Sequence, residues 1–339
     1  MKAWMIYGAN GFLGRLIVQE CVRRGYRPIL AGRSDEALME LADACDLAYR
    51  VFDLQHQKII KDQLTDVALL LNCAGPFNDT AAPLRKAALA VRCHYIDICC
   101  EYTVNTETLN HFQQARDKGC VLLAGSGFYP VAADVLVANM KKDHASASAV
   151  NLRYSAQPFF SVGAMKSFIA MLQHDQSSLQ NMQLAFTLAD TLACRHSSDM
   201  ACRNRFIDGQ VRSLALTLLL KLHPLLRFAW FRRLLLKSLQ STAQNQKYSD
   251  NHSAHISLTA ELLNDSGHKL VEHNMTVAQP YAYSVTTCLM AVSHVLADKV
   301  MPGAFSAAEI LDHEAVMSLA EDAQAQEDSE AIIELDVGE

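Results

Sequence analysis

The chain has 339 residues, half of them hydrophobic, enough to bury two cores, so two domains are expected. Its formal net charge of −6 supplies no overall positive field to gather phosphates, which argues against nucleic acid as a partner. The 10 cysteines are spread from Cys21 to Cys288 without a CxxC pair, a pattern of free thiols in a reducing cytoplasm rather than a disulfide framework.

The first elements alternate. "KAWMIY" predicts a strand and "FLGRLIVQECVRR" a helix with Leu13, Leu16, Ile17 and Cys21 on one face. "RPILAG" predicts the next strand, and "SDEALMELADA" a helix with Ser34 as its N-cap. Strands at "LAYRVFDL", "DVALLLNCAG", "CHYIDIC" and "CVLLAG" continue the series, with helices at "HQKIIKDQL", "AAPLRKAALAV" and "TETLNHFQQARDKG" between them. Six strands alternating with helices predict an α/β fold with a Rossmann-type doubly wound parallel sheet over residues 1–144. The glycine turn arrives at residue 8, too early for a signal peptide, and no uncharged run approaches the length of a spanning helix.

That context gives "GANGFLGR" its meaning. A glycine-rich turn that leaves a strand and opens a helix is a phosphate cradle, formed here by Gly8, Ala9, Asn10, Gly11, Phe12, Leu13 and Gly14. Gly8 lets the chain turn, Gly11 lets backbone approach a pyrophosphate, and Gly14 allows the helix to pack closely. The second strand tells which dinucleotide. A site for NAD usually ends this strand with Asp or Glu, whereas "AGRS" offers Arg33, whose fork suits a 2′-phosphate, and the Ser34 hydroxyl. NADP is the expected cofactor. Asp53, ending the third strand, falls where adenine contacts are made, and serves equally as an ordinary turn Asp.

"GANGFLGR", "AGRS", "LLNCAGPFNDTAAPLRKAALAVRCHYIDICCE" and "LLAGSGFYPVAADVL" resemble, in order, the motifs of the saccharopine dehydrogenase-like NADP-binding proteins. Within that group the chain is most similar to the branch of trans-acting enoyl reductases and saccharopine dehydrogenase-like oxidoreductases. "FFSVGAMKS" resembles the family's S-x-G-T-x-x-S segment, with Ala164 where Thr is usual, and "MPGAFSAAEI" its G-x-x-T-P-A ending. The resemblance implies an oxidoreductase, with Cys73, Ala74, Gly75, Pro76 and Phe77 lining the cofactor near the nicotinamide.

Proton donors or orienting groups are sought at the strand mouths. Asp97, Glu101, Tyr102 and Tyr129 qualify by position, although a carboxylate at a strand end also commonly caps the following turn. No Tyr-x-x-x-Lys pair occurs, which argues against a standard short-chain dehydrogenase. The histidines, His94, His111 and His223 among them, lack metal-ligand spacing, so no metal is expected.

Beyond residue 144 the pattern changes. "AVNLRYSA", "AHISLTAELLN" and "HKLVEHNMTV" predict strands, the last two joined as a hairpin across "NDSG", and "SVGAMKSFIAML" predicts a helix. The expectation is an antiparallel α+β domain over 145–283 for substrate and homodimerisation, a helical segment over 284–320 returning to the first domain, and an acidic tail over 321–339. Between Gln210 and Ser249 there is no acid. Within that span the apolar and basic stretch 214–239 reads either as helices over the second sheet or as a peripheral contact with an anionic membrane, on an otherwise cytoplasmic protein. The expected reaction is hydride transfer between NADP(H) and an apolar, lipid-like or acyl substrate. The alternatives are an NADP-binding sensor or lipid-associated scaffold without turnover and, third, saccharopine-type imine reduction.

Overall fold

The structure, a computed structural model, describes residues 3–156, 201–208, 256–277 and 279–322. The first half runs β1 (Trp4–Tyr7), α1 (Phe12–Arg23), β2 (Ile29–Gly32), α2 (Asp35–Cys45), β3 (Tyr49–Val51), α3 (Gln57–Leu64), β4 (Leu69–Asn72), α4 (Phe77–Val91), β5 (His94–Asp97), α5 (Tyr102–Asn110), α6 (Phe112–Lys118), β6 (Val121–Leu123) and α7 (Phe128–Asp143). There follow β7 (Ala149–Ala156), β8 (Ala201–Asp208), β9 (Ile256–Leu263), β10 (Lys269–Val277), α8 (Pro280–Leu296), β11 (Gly303–Phe305), α9 (Ala307–Ile310) and α10 (His313–Asp322).

The first sheet has seven strands in the order β11-β6-β5-β4-β1-β2-β3, all parallel. Every residue of β1, β4 and β6 is buried, which is why those strands read as unbroken apolar runs rather than alternating ones. The strand order reverses between β1 and β4, the switch point at which open α/β sheets bind ligands. The expected six strands become seven because β11, three residues from far downstream, pairs with the edge of β6. Two further corrections are local. The helix expected over 106–119 is two helices meeting at His111, and the buried face of α1 is Gly14, Ile17, Val18 and Cys21, with Leu13 and Leu16 only partly covered.

The second sheet has the order β10-β9-β7-β8. The expected hairpin is present, with β9 antiparallel to both β10 and β7. The sheet is nonetheless mixed, because β8 lies parallel to β7. On β9, Ile256, Leu258, Ala260 and Leu262 are buried on the side that meets α7. The other face carries polar pairs such as Ser257 with Thr276 and Asn151 with Glu261. The chain leaves the parallel sheet through α7 and returns through α8, which packs on α1 and α7.

Among the described residues no helix is long and apolar enough to cross a membrane, and Cys21, Cys45, Cys73, Cys93, Cys99, Cys100, Cys120 and Cys288 are free thiols. The expected helix at "SVGAMKSFIAML", the basic stretch 214–239, His223 and the tail beyond residue 322 lie outside the described residues.

Candidate functional site

β1 ends on Gly8, whose N–H donates to the Ala31 carbonyl of β2 at 2.7 Å. Its φ of +85° is a left-handed conformation, and a Cβ there would stand 2.8 Å from the Ala74 nitrogen. The turn thus abuts the exit of β4 at the switch point. At Gly14 a Cβ would fall 2.3 Å from the Gly8 carbonyl oxygen, so α1 seats directly on the turn. Gly11 differs. A Cβ there meets only the Gly8 oxygen, at 3.2 Å, and the residue is exposed. The protein's own packing requires the first and third glycines and leaves the space over the second to a ligand. Gly11 is also the N-cap of α1, with no side-chain cap, and the first turn of that helix carries no acid of its own to offset its positive end. Ala9 is buried beneath the turn, and the Asn10 carbonyl is held by Arg15 Nε at 3.3 Å.

Arg33 leaves β2 exposed, and Ser34 occupies the N-cap of α2 without a side-chain capping bond, so its hydroxyl is not spent on the helix. Beneath them the Tyr7 hydroxyl donates to the Phe52 carbonyl at 3.2 Å. Burial pushes the Tyr7 phenol up to about 12, with the Arg33 charge opposing and the Asp53 charge adding, which marks both side chains as neighbours of that hydroxyl. Asp53 takes its turn role here: its Oδ1 accepts the Gln55 N–H at 2.9 Å.

The loops after β4, β5 and β6 are tied by a buried polar network. Asn72 Oδ1 accepts the Ala74 N–H at 3.0 Å, and its Nδ2 donates to the Tyr95 hydroxyl at 3.2 Å and to Thr80 Oγ1 at 3.3 Å. Thr80 in turn donates to the Ala74 carbonyl at 2.5 Å. Cys73, Ala74, Gly75 and Pro76 form a half-exposed lip beside Gly8, with a cis bond between Gly75 and Pro76 and Phe77 buried behind it. Glu101 is 4% exposed. Its Oε1 accepts the Phe77 N–H at 3.3 Å, the first of α4, and its Oε2 accepts the Cys100 N–H and the Cys99 thiol, both at 3.1 Å. Asp97 Oδ1 accepts the N–H groups of Cys99 at 3.1 Å and Gly125 at 2.9 Å, while Oδ2 has no hydrogen-bond partner among the described residues. Burial raises the Asp97 carboxyl to about 6, against the lowering effect of those two N–H groups.

The structure therefore gathers Asp97, Glu101 and Tyr129 at one end of the sheet but sets the two carboxylates as braces between loops. Tyr102 opens α5 on the same loop. Tyr129 stands in the first turn of α7, half-buried, its phenol pushed up by burial with Cys100 and Tyr281 as electrostatic neighbours. His94 and His111 are structural: His94 Nδ1 accepts the Val121 N–H at 2.9 Å, and His111 Nδ1 lies 2.7 Å from the Glu107 carbonyl. Sequence reasoning missed Asn72, Thr80 and Tyr95. The available signal was a lone Asn closing the apolar strand "LLLN", since a buried amide needs partners.

Residues 4–123, which hold the glycine turn, Arg33 and the polar network, match the family model described as the saccharopine dehydrogenase NADP binding domain. The first domain is therefore similar to the NADP binding domain of saccharopine dehydrogenases. NADP is its cofactor, and the open cradle over Gly11 fits the group. Two relatives share this domain. The human saccharopine dehydrogenase-like oxidoreductase is 24% identical over 151 residues, 39% of this chain and 35% of the relative. A trans-acting enoyl reductase of Mycobacterium ulcerans is 30% identical over 142 residues, 39% of this chain and 34% of the relative. The match thus spans about a third of these relatives. In fold the likeness extends further: apo saccharopine dehydrogenase (L-Glu forming) of Saccharomyces cerevisiae superposes with a TM-score of 0.56 at 11% identity, over 96% of this chain and 98% of that one.

Proposed function

We propose that the protein is an NADP(H)-dependent oxidoreductase acting on an apolar, lipid-like or acyl substrate. The observation that carries this reading is the glycine turn. Gly8 and Gly14 are closed in by the protein's own backbone, whereas Gly11 is exposed, with only the Gly8 oxygen near its Cβ position at 3.2 Å, at a helix N-terminus without a side-chain cap, the arrangement that a pyrophosphate needs. NADP, when bound, supplies or accepts a hydride. The protein's own residues do the rest. The cradle over Gly11 would hold the pyrophosphate, and Arg33 with Ser34 the 2′-phosphate. Asn72, Thr80 and Glu101 fix the lip from Cys73 to Pro76 that borders the reacting end.

Apolar chemistry for the substrate is supported by the aromatic rings of Phe12 and Tyr281, paired beside the glycine turn, and of Tyr129, paired with Phe128, and by the likeness to the mycobacterial trans-acting enoyl reductase. The buried Arg85 does not serve as an anion receptor, because it is bonded to Thr108 at 2.8 Å and Glu107 at 2.6 Å. Tyr129, whose phenol carries its proton at neutral pH and stands in the first turn of α7, is the residue that would give a proton. The stretch 214–239 would bring the protein to the membrane surface that holds such substrates. The test is NADPH consumption by the full chain with enoyl and ketoacyl thioesters and with extracted lipids. Turnover with one of these is expected, and NADPH that binds but is consumed with none of them would favour the sensor.

A further inference from the structure

Two helix starts meet beside the glycine turn. α8 opens with Pro280 and Tyr281, and Ser284, one turn on, accepts the Phe128 N–H at 2.9 Å while donating to the Pro280 carbonyl at 2.9 Å. The start of α7 is thereby pinned to the start of α8. Tyr281 meets Phe12 edge-on, with centroids 4.8 Å and planes 71° apart, and Phe12 directly follows Gly11. Tyr281 and Cys100 are both electrostatic neighbours of the Tyr129 phenol.

The strand order sets the direction of the cofactor. Arg33 ends β2, on one side of β1, whereas Cys100 and Tyr129 follow β5 and β6, on the other. A dinucleotide with its 2′-phosphate at Arg33 and its pyrophosphate over Gly11 crosses the switch point toward β4, β5 and β6. Its nicotinamide end then falls at the group formed by Phe12, Tyr281, Tyr129 and Cys100. We infer that Tyr281 is a wall of the nicotinamide pocket, so that the segment returning from the second sheet completes a cofactor site that residues 4–123 only begin. This rests on the NADP reading above. An edge-to-face ring pair holds an aromatic surface in one orientation, which suits it to position a flat, apolar ring.

The test compares the full chain with Tyr281→Ala and Tyr281→Phe, reading NADPH affinity and the fluorescence of the bound reduced nicotinamide. Tyr281→Ala should change the dissociation constant by less than tenfold, because the phosphate contacts are untouched. It should at the same time shift the emission maximum or lifetime of the bound nicotinamide, and Tyr281→Phe should restore both. A role confined to packing would leave that emission where it is. Should Tyr281→Ala fail to fold, Tyr281→Leu keeps the bulk without the aromatic face and carries the same expectation. Identical emission from parent and variants would overturn the inference alone, and a parent chain that does not bind NADPH would overturn both it and the reading beneath it.

Discussion

Gly11 and Gly14 sit three residues apart in one turn and answer to different demands. Alanine inside a helix ordinarily gains about 1 kcal/mol over glycine. At Gly14, however, the added Cβ would lie 2.3 Å from a backbone oxygen that cannot swing away, so the overlap outweighs the helix gain. Gly14→Ala should lower stability by roughly 1–3 kcal/mol in denaturant titrations, the usual cost of overpacking. Gly11→Val should instead abolish NADPH binding while costing less stability than Gly14→Ala, since its Cβ meets only the Gly8 oxygen, at 3.2 Å, and otherwise the space of the ligand. Undiminished binding in the folded Gly11→Val variant would reduce the turn to a structural connection. Asp97 gives a second test at this scale. Its folded carboxyl sits near 6, above the ordinary 3.8, so the folded state binds the proton more tightly than the unfolded chain does. Its contribution is most favourable below pH 3.8 and is lost as pH rises through 6. Asp97→Asn can still accept the two N–H bonds and removes the titration. Its stability relative to the parent should therefore rise between pH 4 and pH 7, by an amount on the order of 1–3 kcal/mol, in guanidinium unfolding at the two pH values. A difference independent of pH would contradict this account of Asp97.

The elements that were legible in the sequence are those whose local pattern and burial agree. β1, β4 and β6 are covered on both faces and show it as continuous apolar runs, and the glycine turn was readable because a strand precedes it and a helix follows. β8, "ACRNRFID", mixes apolar, basic and acidic residues with neither alternation nor a run to announce it, and β11, "GAF", is too short to carry a period; long-range pairing alone makes each a strand. The site shows the same division. Gly8, Gly14 and the "NCAGPF" lip were visible as motifs, but that Glu101 spans two loops follows from the alignment of β4 and β5, which no local pattern encodes. Its contacts make a prediction for the start of α4. Both carboxylate oxygens face donors, so Glu101→Gln would set an amide NH₂ against an N–H or S–H group. A loss of about 1–3 kcal/mol, the cost of a buried unsatisfied group, is expected in denaturant titrations, together with weaker NADPH binding as the lip loosens. Unchanged stability would mean that Glu101 is not the brace described.

At the scale of the whole molecule, the chain leaves the parallel sheet at α7, builds a second sheet, and comes back as α8 and β11 to pack on the helices and the edge that it left. The likeness to the yeast saccharopine dehydrogenase covers nearly all of both chains at 11% identity, so the arrangement of the layers is shared while the chemistry is left to individual side chains. The central claim is that the glycine turn and Arg33 together hold NADP rather than NAD. Parallel titrations of the full chain with NADPH and NADH test it most directly. A charge-assisted contact of about 1.5–3 kcal/mol predicts NADPH binding at least tenfold tighter, with the preference removed or inverted in Arg33→Glu. Equal affinities for the two nucleotides in the parent chain, or a preference that survives Arg33→Glu, would contradict it.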